Sequence, residues 1–131
     1  MGACYDVRLK VKLEDENAAI LVLNKHIGND VRTDYSLSQY SEQGVITETY
    51  NGLMRIFLAD RKGQELKIRE EDGGFVAYEN SFNASYGWKS VLVEMFEKLS
   101  SYLEDGSFIL IYADNDYDEL VVRNGTCVQM H

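Results

Sequence analysis

Proline is missing from this chain, cysteine occurs only as Cys4 and Cys127, and no apolar run approaches the roughly 20 residues that span a bilayer as a helix. With no proline, low-complexity stretch or internal repeat, no linker is marked, so we expect one domain over residues 1–131. The start of the chain has neither a basic nor an apolar leader region, which argues against secretion and a disulfide framework. We therefore expect a soluble cytoplasmic protein that does not bind membranes.

Basic residues are scarce in the second part of the chain. Residues 1–69 hold ten acidic and ten basic side chains, whereas residues 70–131 hold twelve acidic side chains and three basic ones. The whole formal net charge of -9 therefore belongs to the second part. A protein of this charge is repelled by nucleic acids and anionic membranes at long range, unless its cations gather on one face.

Hydrophobic periodicity predicts the elements of the first part. Strict alternation from Cys4 to Leu13 is typical of a half-buried strand, and apolar residues at helical spacing between Asp15 and Gly28 predict a helix. Residues 29–63 carry two short helical patterns that meet at Gly44. These patterns predict an αα-hairpin inserted after the first helix.

Turn residues separate the elements predicted for the second part. The stretch from Glu70 to Gly74 predicts a turn between two strands, of which the second runs from Phe75 to Phe82. Ser85 is the predicted cap of the longest helix, whose apolar stripe extends from Trp88 to Leu103.

The last predicted elements are an apolar strand over residues 108–112 and a β-hairpin over residues 119–131 with Asn124-Gly125 as its turn. The complete order predicts an α+β fold. We expect a ferredoxin-like βαββαβ antiparallel sheet, with the αα-hairpin inserted after the first helix and the β-hairpin added at the C-terminus.

One face of such a sheet would carry the polar residues of its strands. The candidate residues of this basic face, including two tyrosines if the third and fourth strands orient them alike, are Arg8, Lys10, Lys67, Arg69, Tyr78 and Tyr112. Basic groups beside aromatic rings are typical of single-stranded nucleic-acid sites. The alternative is a solvated face on which cations pair with carboxylates such as Asp6 and Glu79.

Metal and catalytic motifs are incomplete in this sequence. Asp114, Asp116 and Asp118 have the spacing of a calcium loop, but Glu119 and Gly125 stand where such a loop needs glycine and glutamate. This stretch therefore predicts a solvated acidic loop, although calcium occupancy stays open.

We also predict no cofactor, no metal site and no catalytic residue. The soft metal ligands Cys4, His26, Cys127 and His131 are scattered, and His26 is the only interior histidine that could act as a base for a nucleophile. The sequence therefore favours a protein that is not an enzyme.

A strand that ends in Phe82 precedes a helix that begins near Trp88. In this feature the stretch from Phe75 to Met130 resembles small acidic proteins of bacterial genomes and mobile elements. It is also similar to the ferredoxin-like C-terminal domain of Api92-type phage and plasmid proteins. The resemblance implies a bacterial α+β protein and supplies no activity.

The charge asymmetry favours a protein-binding module, of which a DNA-mimic inhibitor of a nucleic-acid enzyme is the concrete form. The acidic residues predicted to contact the protein partner are Glu94, Glu97, Glu104, Asp105, Asp114, Asp116, Asp118 and Glu119. Two alternatives stay open. The protein could bind single-stranded nucleic acid through the basic sheet face, or it could form a homodimer by self-association.

Overall fold

The computed structural model describes residues 2–30 and 67–131, which form an α+β fold with six strands and two α-helices. The strands are β1 (Gly2–Val11), β2 (Lys67–Glu70), β3 (Val76–Ser85), β4 (Phe108–Ala113), β5 (Asp116–Arg123) and β6 (Thr126–Gln129). The helices are α1 (Glu16–Gly28) and α2 (Trp88–Leu99). The predicted αα-hairpin lies, apart from residues 29 and 30, outside the described residues.

The six strands form one sheet in the order β2-β3-β1-β4-β5-β6, and every pair of neighbours is antiparallel. Strand β1 lies near the middle and pairs with both β3 and β4. The predicted hairpin at Asn124-Gly125 is confirmed. These two residues have φ angles of 54° and 71°, as a tight turn between β5 and β6 requires.

Alternation along β1 divides the sheet into two faces. Tyr5, Val7 and Leu9 are buried under the helices, whereas Arg8 on the opposite face is exposed. Helix α2 packs on this core because its apolar residues recur at intervals of three and four. Its buried side chains are Trp88, Val91, Leu92, Met95, Phe96 and Leu99.

Helix α1 begins where the Asp15 carboxylate accepts the Ala18 N–H at 3.1 Å, as an N-cap does. Ala19 and Leu23 join the same core cluster as the buried residues of β1 and α2. Both helices therefore cover one face of the sheet, and no other α-helix among residues 2–30 and 67–131 covers the opposite face. Among the described residues, no helix is long and apolar enough to cross a membrane.

Helix α2 is shorter than predicted at both ends. Ser85 is the last residue of β3 and does not cap α2, which begins after Gly87. The helix ends at Leu99 and continues only as a 3₁₀ turn, because Leu103 bridges to Leu13 and draws the chain back to the sheet. The Glu104 N–H donates to the Lys12 carbonyl at 2.9 Å and secures this return.

The acidic stretch after β4 is also different from the prediction. Only Asp114 and Asn115 form a turn, and β5 already begins at Asp116 and pairs with Ala113. The predicted solvated loop over residues 114–119 is therefore wrong for most of its length. Its carboxylates alternate between the two faces of a strand, as strand geometry requires.

Candidate functional site

The sheet face opposite the helices, called the open face below, carries three cross-strand rows in its central part. The first row contains Arg69, Ala77, Lys10, Phe108, Val121 and Val128. The second row contains Lys67, Glu79, Arg8, Leu110 and Glu119. The third row contains Ser81, Asp6, Tyr112 and Tyr117. Within these rows the cations lie on the β2-β3-β1 side and most apolar residues on the β4-β5-β6 side.

A depression of about 310 Å³ lies on the basic side of the open face. Its four cationic residues are Arg8, Lys10, Lys67 and Arg69, so the structure brings together all four cations predicted for the basic face. Ala77, Phe108 and Leu110 add apolar surface to its lining. The volume is at the lower end of the range found for small-ligand sites, which is roughly 300–1,000 Å³.

The charge of the depression is opposite to that of the protein as a whole. Four of the nine lysines and arginines among the described residues line it, but only two of the seventeen carboxylates, Glu71 and Glu79. The depression therefore has a formal charge of about +2 in a protein of net charge -9. An anion is attracted to this place more than to the rest of the described surface.

The arginines of the depression are held by exposed ion pairs. Arg69 Nη2 lies 3.0 Å from Glu71 Oε1, and Arg8 Nη2 lies 3.9 Å from Glu79 Oε1. Both arginine side chains are more than half exposed, so each pair contributes only about 0–1 kcal/mol to stability. A bound anion can therefore replace these carboxylates at little cost.

Lys10 is held in a different way. Its Nζ lies 5.7 Å from the centre of the Phe75 ring, at the edge of the same face. A cation over an aromatic ring is attracted by the ring quadrupole and keeps its remaining hydrogen-bonding capacity. The Lys10 ammonium group can therefore donate hydrogen bonds to a ligand.

Three stacked rings extend the site toward the end of the chain. The Tyr112 and Tyr117 ring centres are 5.3 Å apart, and those of Tyr117 and His131 are 4.0 Å apart with planes inclined by 7°. Because Tyr117 stacks on one face of the Tyr112 ring, the other face of that ring is directed toward β1, and no further ring of the described residues stacks on it. Tyr112 is 38% exposed and can contact a further planar group there.

The placement predicted for Tyr78 is wrong. This residue pairs with Leu9 in the β1-β3 ladder, and its side chain therefore points to the helix face, where it is 2% exposed. Only Tyr112 of the two predicted tyrosines lies on the open face. The stacking of Tyr117 and His131 was not foreseen from the sequence.

The eight acidic residues predicted as a partner surface do not form one surface in the structure. Glu104 and Asp105 precede β4, whereas Asp114 and Asp116 follow it, so a strand of six residues, about 20 Å long, separates the two pairs. Glu94 and Glu97 lie on α2. Asp118 and Glu119 of β5 lie on opposite faces of the sheet.

Several of these carboxylates have structural partners. Asp105 accepts the Asn124 N–H at 2.8 Å, and Asp114 accepts the Cys4 N–H at 3.3 Å. Asp118 accepts from Gln129 Nε2 at 3.0 Å and lies 3.1 Å from Lys89 Nζ. These bonds join turns, strands and α2, so much of the acidic sequence serves the fold.

The described residues contain no cluster of three or more residues that could bind a metal ion. Cys4 is exposed on β1, whereas Cys127 lies on β6, and strands β4 and β5 separate the two. Burial raises the pKa of the Cys127 thiol, and the negative charge of Glu97 raises it further.

Comparison of the chain with protein-family models, curated proteins and solved structures gives no match.

Proposed function

We propose that this protein binds single-stranded nucleic acid on the open face of its sheet. The observation that carries the proposal is the depression lined by Arg8, Lys10, Lys67 and Arg69, because these cations form a positive site on an otherwise acidic protein. Phosphate contacts supply most of the affinity of such complexes.

The division of the open face into two halves suits the two parts of a nucleotide. Phosphates would lie on the basic side, where guanidinium groups bind them in a bidentate manner. Bases would lie on the apolar side, where Phe108, Leu110 and Tyr112 are available for packing and stacking. The bases of a single strand are unpaired and can stack on these side chains. This mode of binding therefore favours a single strand over a duplex.

The strand order supports a finer fold assignment as part of the same proposal. Strands β1 to β4 and the two helices follow the order β-α-β-β-α-β, and their sheet order is β2-β3-β1-β4. We assign this part to the ferredoxin-like arrangement, in which an antiparallel sheet has helices on one face and leaves the other free. RNA-binding modules with a four-stranded sheet use that free face. A cytoplasmic location agrees with this role.

The test is fluorescence anisotropy with a labelled single-stranded 12-mer over a series of salt concentrations. The double variant Arg8→Gln, Lys10→Gln should bind more weakly, and its slope of log K against log salt should be shallower by about 1.4, or about 0.7 per lost phosphate contact. The control is Lys25→Gln, Lys98→Gln, which removes the same charge from exposed positions on α1 and α2.

Two outcomes would contradict the proposal. One is the absence of any salt-sensitive binding by the native chain. The other is an equal loss of affinity in both double variants, because net charge alone would then account for binding.

The acidic distribution favours a second candidate, a protein-binding module that could act as a DNA mimic. Glu97 and Asp116 are exposed carboxylates of the predicted partner surface and are suited to contact a basic partner. The immobilised chain should retain proteins from a nuclease-treated bacterial lysate less well after Glu97→Lys or Asp116→Lys. Equal retention would exclude these residues as the contact.

Self-association stays a prediction of the same charge distribution. The basic depression of one copy could meet the carboxylates of another, and such a homodimer would weaken as salt rises. Sedimentation at low and high salt measures this directly, and an unchanged monomer would remove the possibility.

A further inference from the structure

We infer that the open face selects guanine over thymine or uracil, through the carboxylate of Asp6 beside Tyr112. This inference rests on the proposed binding of single-stranded nucleic acid and names the base that the site prefers. It follows from the register of β1, β4 and β5 and from the accessibility of the Asp6 carboxylate.

The register places Asp6 beside the side of the Tyr112 ring that Tyr117 does not cover. Asp6 on β1 is directly opposite Tyr112 on β4. Directly opposite side chains have Cβ atoms about 4.5–5.5 Å apart. Glu119 on β5 is opposite Leu110 and lies on the side of Tyr112 that Tyr117 occupies. A base stacked on Tyr112 toward β1 would thus have the Asp6 carboxylate at its edge.

The Asp6 carboxylate differs from the structural carboxylates of this protein. Asp105, Asp114 and Asp118 each accept a hydrogen bond from the fold. Asp6 is only half-buried, its oxygens are not among the buried polar atoms, and no hydrogen bond or ion pair between described residues holds its carboxylate. Its oxygens are therefore available to a ligand, and hydrogen bonds to a charged carboxylate are stronger than those between neutral groups.

The donors and acceptors at the edge of each base decide which base a carboxylate prefers. Guanine presents N1–H and N2–H₂ side by side, so both oxygens of one carboxylate can accept at once. Adenine and cytosine present one amino group each. Thymine and uracil present an N3–H between two carbonyl oxygens, which a carboxylate repels. We therefore expect guanine to bind best and thymine or uracil to bind worst.

The experiment compares labelled pentamers that differ only in the central base, dTTGTT, dTTATT, dTTCTT and dTTTTT, by anisotropy at one low salt concentration. The guanine pentamer should bind about tenfold more tightly than the thymine pentamer, as a good bidentate pair provides. RNA pentamers with uracil as the background should show the same order if the base edge alone is read.

Variants assign the preference to the Asp6 carboxylate. Asp6→Asn should reduce the ratio of guanine to thymine affinity, whereas Glu119→Gln, on the side of Tyr112 that Tyr117 covers, should leave the ratio unchanged. The ratio is the readout, since removing a negative charge also raises affinity for every oligonucleotide. Glu97→Gln removes the same charge from α2 and should leave the ratio unchanged.

The outcomes separate this inference from the proposed function. If no pentamer and no 12-mer binds, the proposed function fails and the base preference fails with it. If all pentamers bind with equal affinity, or if Asp6→Asn keeps the native ratio, nucleic-acid binding stands and the selection by Asp6 is wrong. Thermal unfolding of each variant verifies that it is folded.

Discussion

The Tyr5 hydroxyl on β1 lies 2.7 Å from the Ser85 carbonyl oxygen at the end of β3. It also lies 3.0 Å from the carbonyl oxygen of Tyr86. The ring itself is 2% exposed and stacks on Phe82, with ring centres 5.5 Å apart. Tyr5 therefore fixes the junction between β3 and α2 while it fills the core.

Replacing Tyr5 with phenylalanine should lower the free energy of unfolding by about 1 kcal/mol, because the ring packing stays and a hydroxyl that bonds two carbonyl groups is lost. Urea denaturation measures this difference. The matched control is Tyr86→Phe, whose side chain is 60% exposed and should change stability very little. Equal losses in the two variants would show that the Tyr5 hydroxyl has no special role.

The buried Tyr5 hydroxyl also predicts that the stability of the protein depends on pH. Burial raises the pKa of Tyr5 above its ordinary value of 10.0, so the unfolded chain loses this proton at a lower pH than the folded chain. The contribution to stability is complete below pH 10.0 and is lost as pH rises toward the folded pKa. The difference in stability between the native chain and Tyr5→Phe should therefore shrink as the pH rises above 10.0.

The ion pair of Lys89 and Asp118 should matter more than the surface pairs. The Asp118 side chain is 16% exposed and bonds both α2 and β6, whereas the pair of Lys12 and Glu104 is more than a third exposed on both sides. Asp118→Ala should cost about 1–3 kcal/mol, because Lys89 and Gln129 lose their acceptor. Glu104→Ala should cost less than about 1 kcal/mol, and the reverse order in chemical denaturation would contradict this interpretation.

The turn glycine Gly125 can be compared with Gly87. Gly125 has a φ of 71°, which an L side chain rarely adopts, so Gly125→Ala should cost about 1–2 kcal/mol. Gly87 has a φ of -77° and open space around its missing Cβ, so Gly87→Ala should be neutral or stabilise by about 0.4–1 kcal/mol. A comparison of the two melting temperatures tests both signs at once.

Local patterns predicted much of the fold. A few neighbouring residues were enough to predict three features. These are the alternation of β1, the apolar stripe of α2 and the Asn124-Gly125 turn. The pattern failed at Asp118, whose charge suggested a loop. Its partners Lys89 and Gln129 lie on other elements, so only the tertiary structure explains why a strand contains this carboxylate.

The candidate site was predictable only in part, for a related reason. Arg8 and Lys10 share a face because they are two residues apart on one strand, and this follows from the sequence. The orientation of Tyr78 depends on its register with Leu9, and the stacking of His131 on Tyr117 depends on how the chain returns beside β5. Strand register and the path of the chain beside β5 depend on contacts between residues far apart in the sequence. Hydrophobic periodicity reports only on neighbouring residues and cannot predict them.

The Tyr112 ring provides the most direct test of where the bases bind. Its 38% exposure and its stacking on Tyr117 leave one face free beside Asp6, and a stacked base contributes about 1–3 kcal/mol to binding. Tyr112→Ala should therefore weaken binding of a labelled 12-mer by roughly fivefold or more while the slope against salt stays unchanged. The slope stays because the change removes no phosphate contact.

Tyr86→Ala is the matched control for Tyr112→Ala, because Tyr86 is also exposed but lies outside the three rows of the open face. It should leave the affinity for the 12-mer unchanged. If both variants weaken binding alike, the tyrosines act through general destabilisation. If only the slope against salt changes in Tyr112→Ala, the ring acts on the phosphates. Loss of affinity at constant slope, confined to Tyr112→Ala, places a base on this ring and the phosphates on the basic side of the sheet.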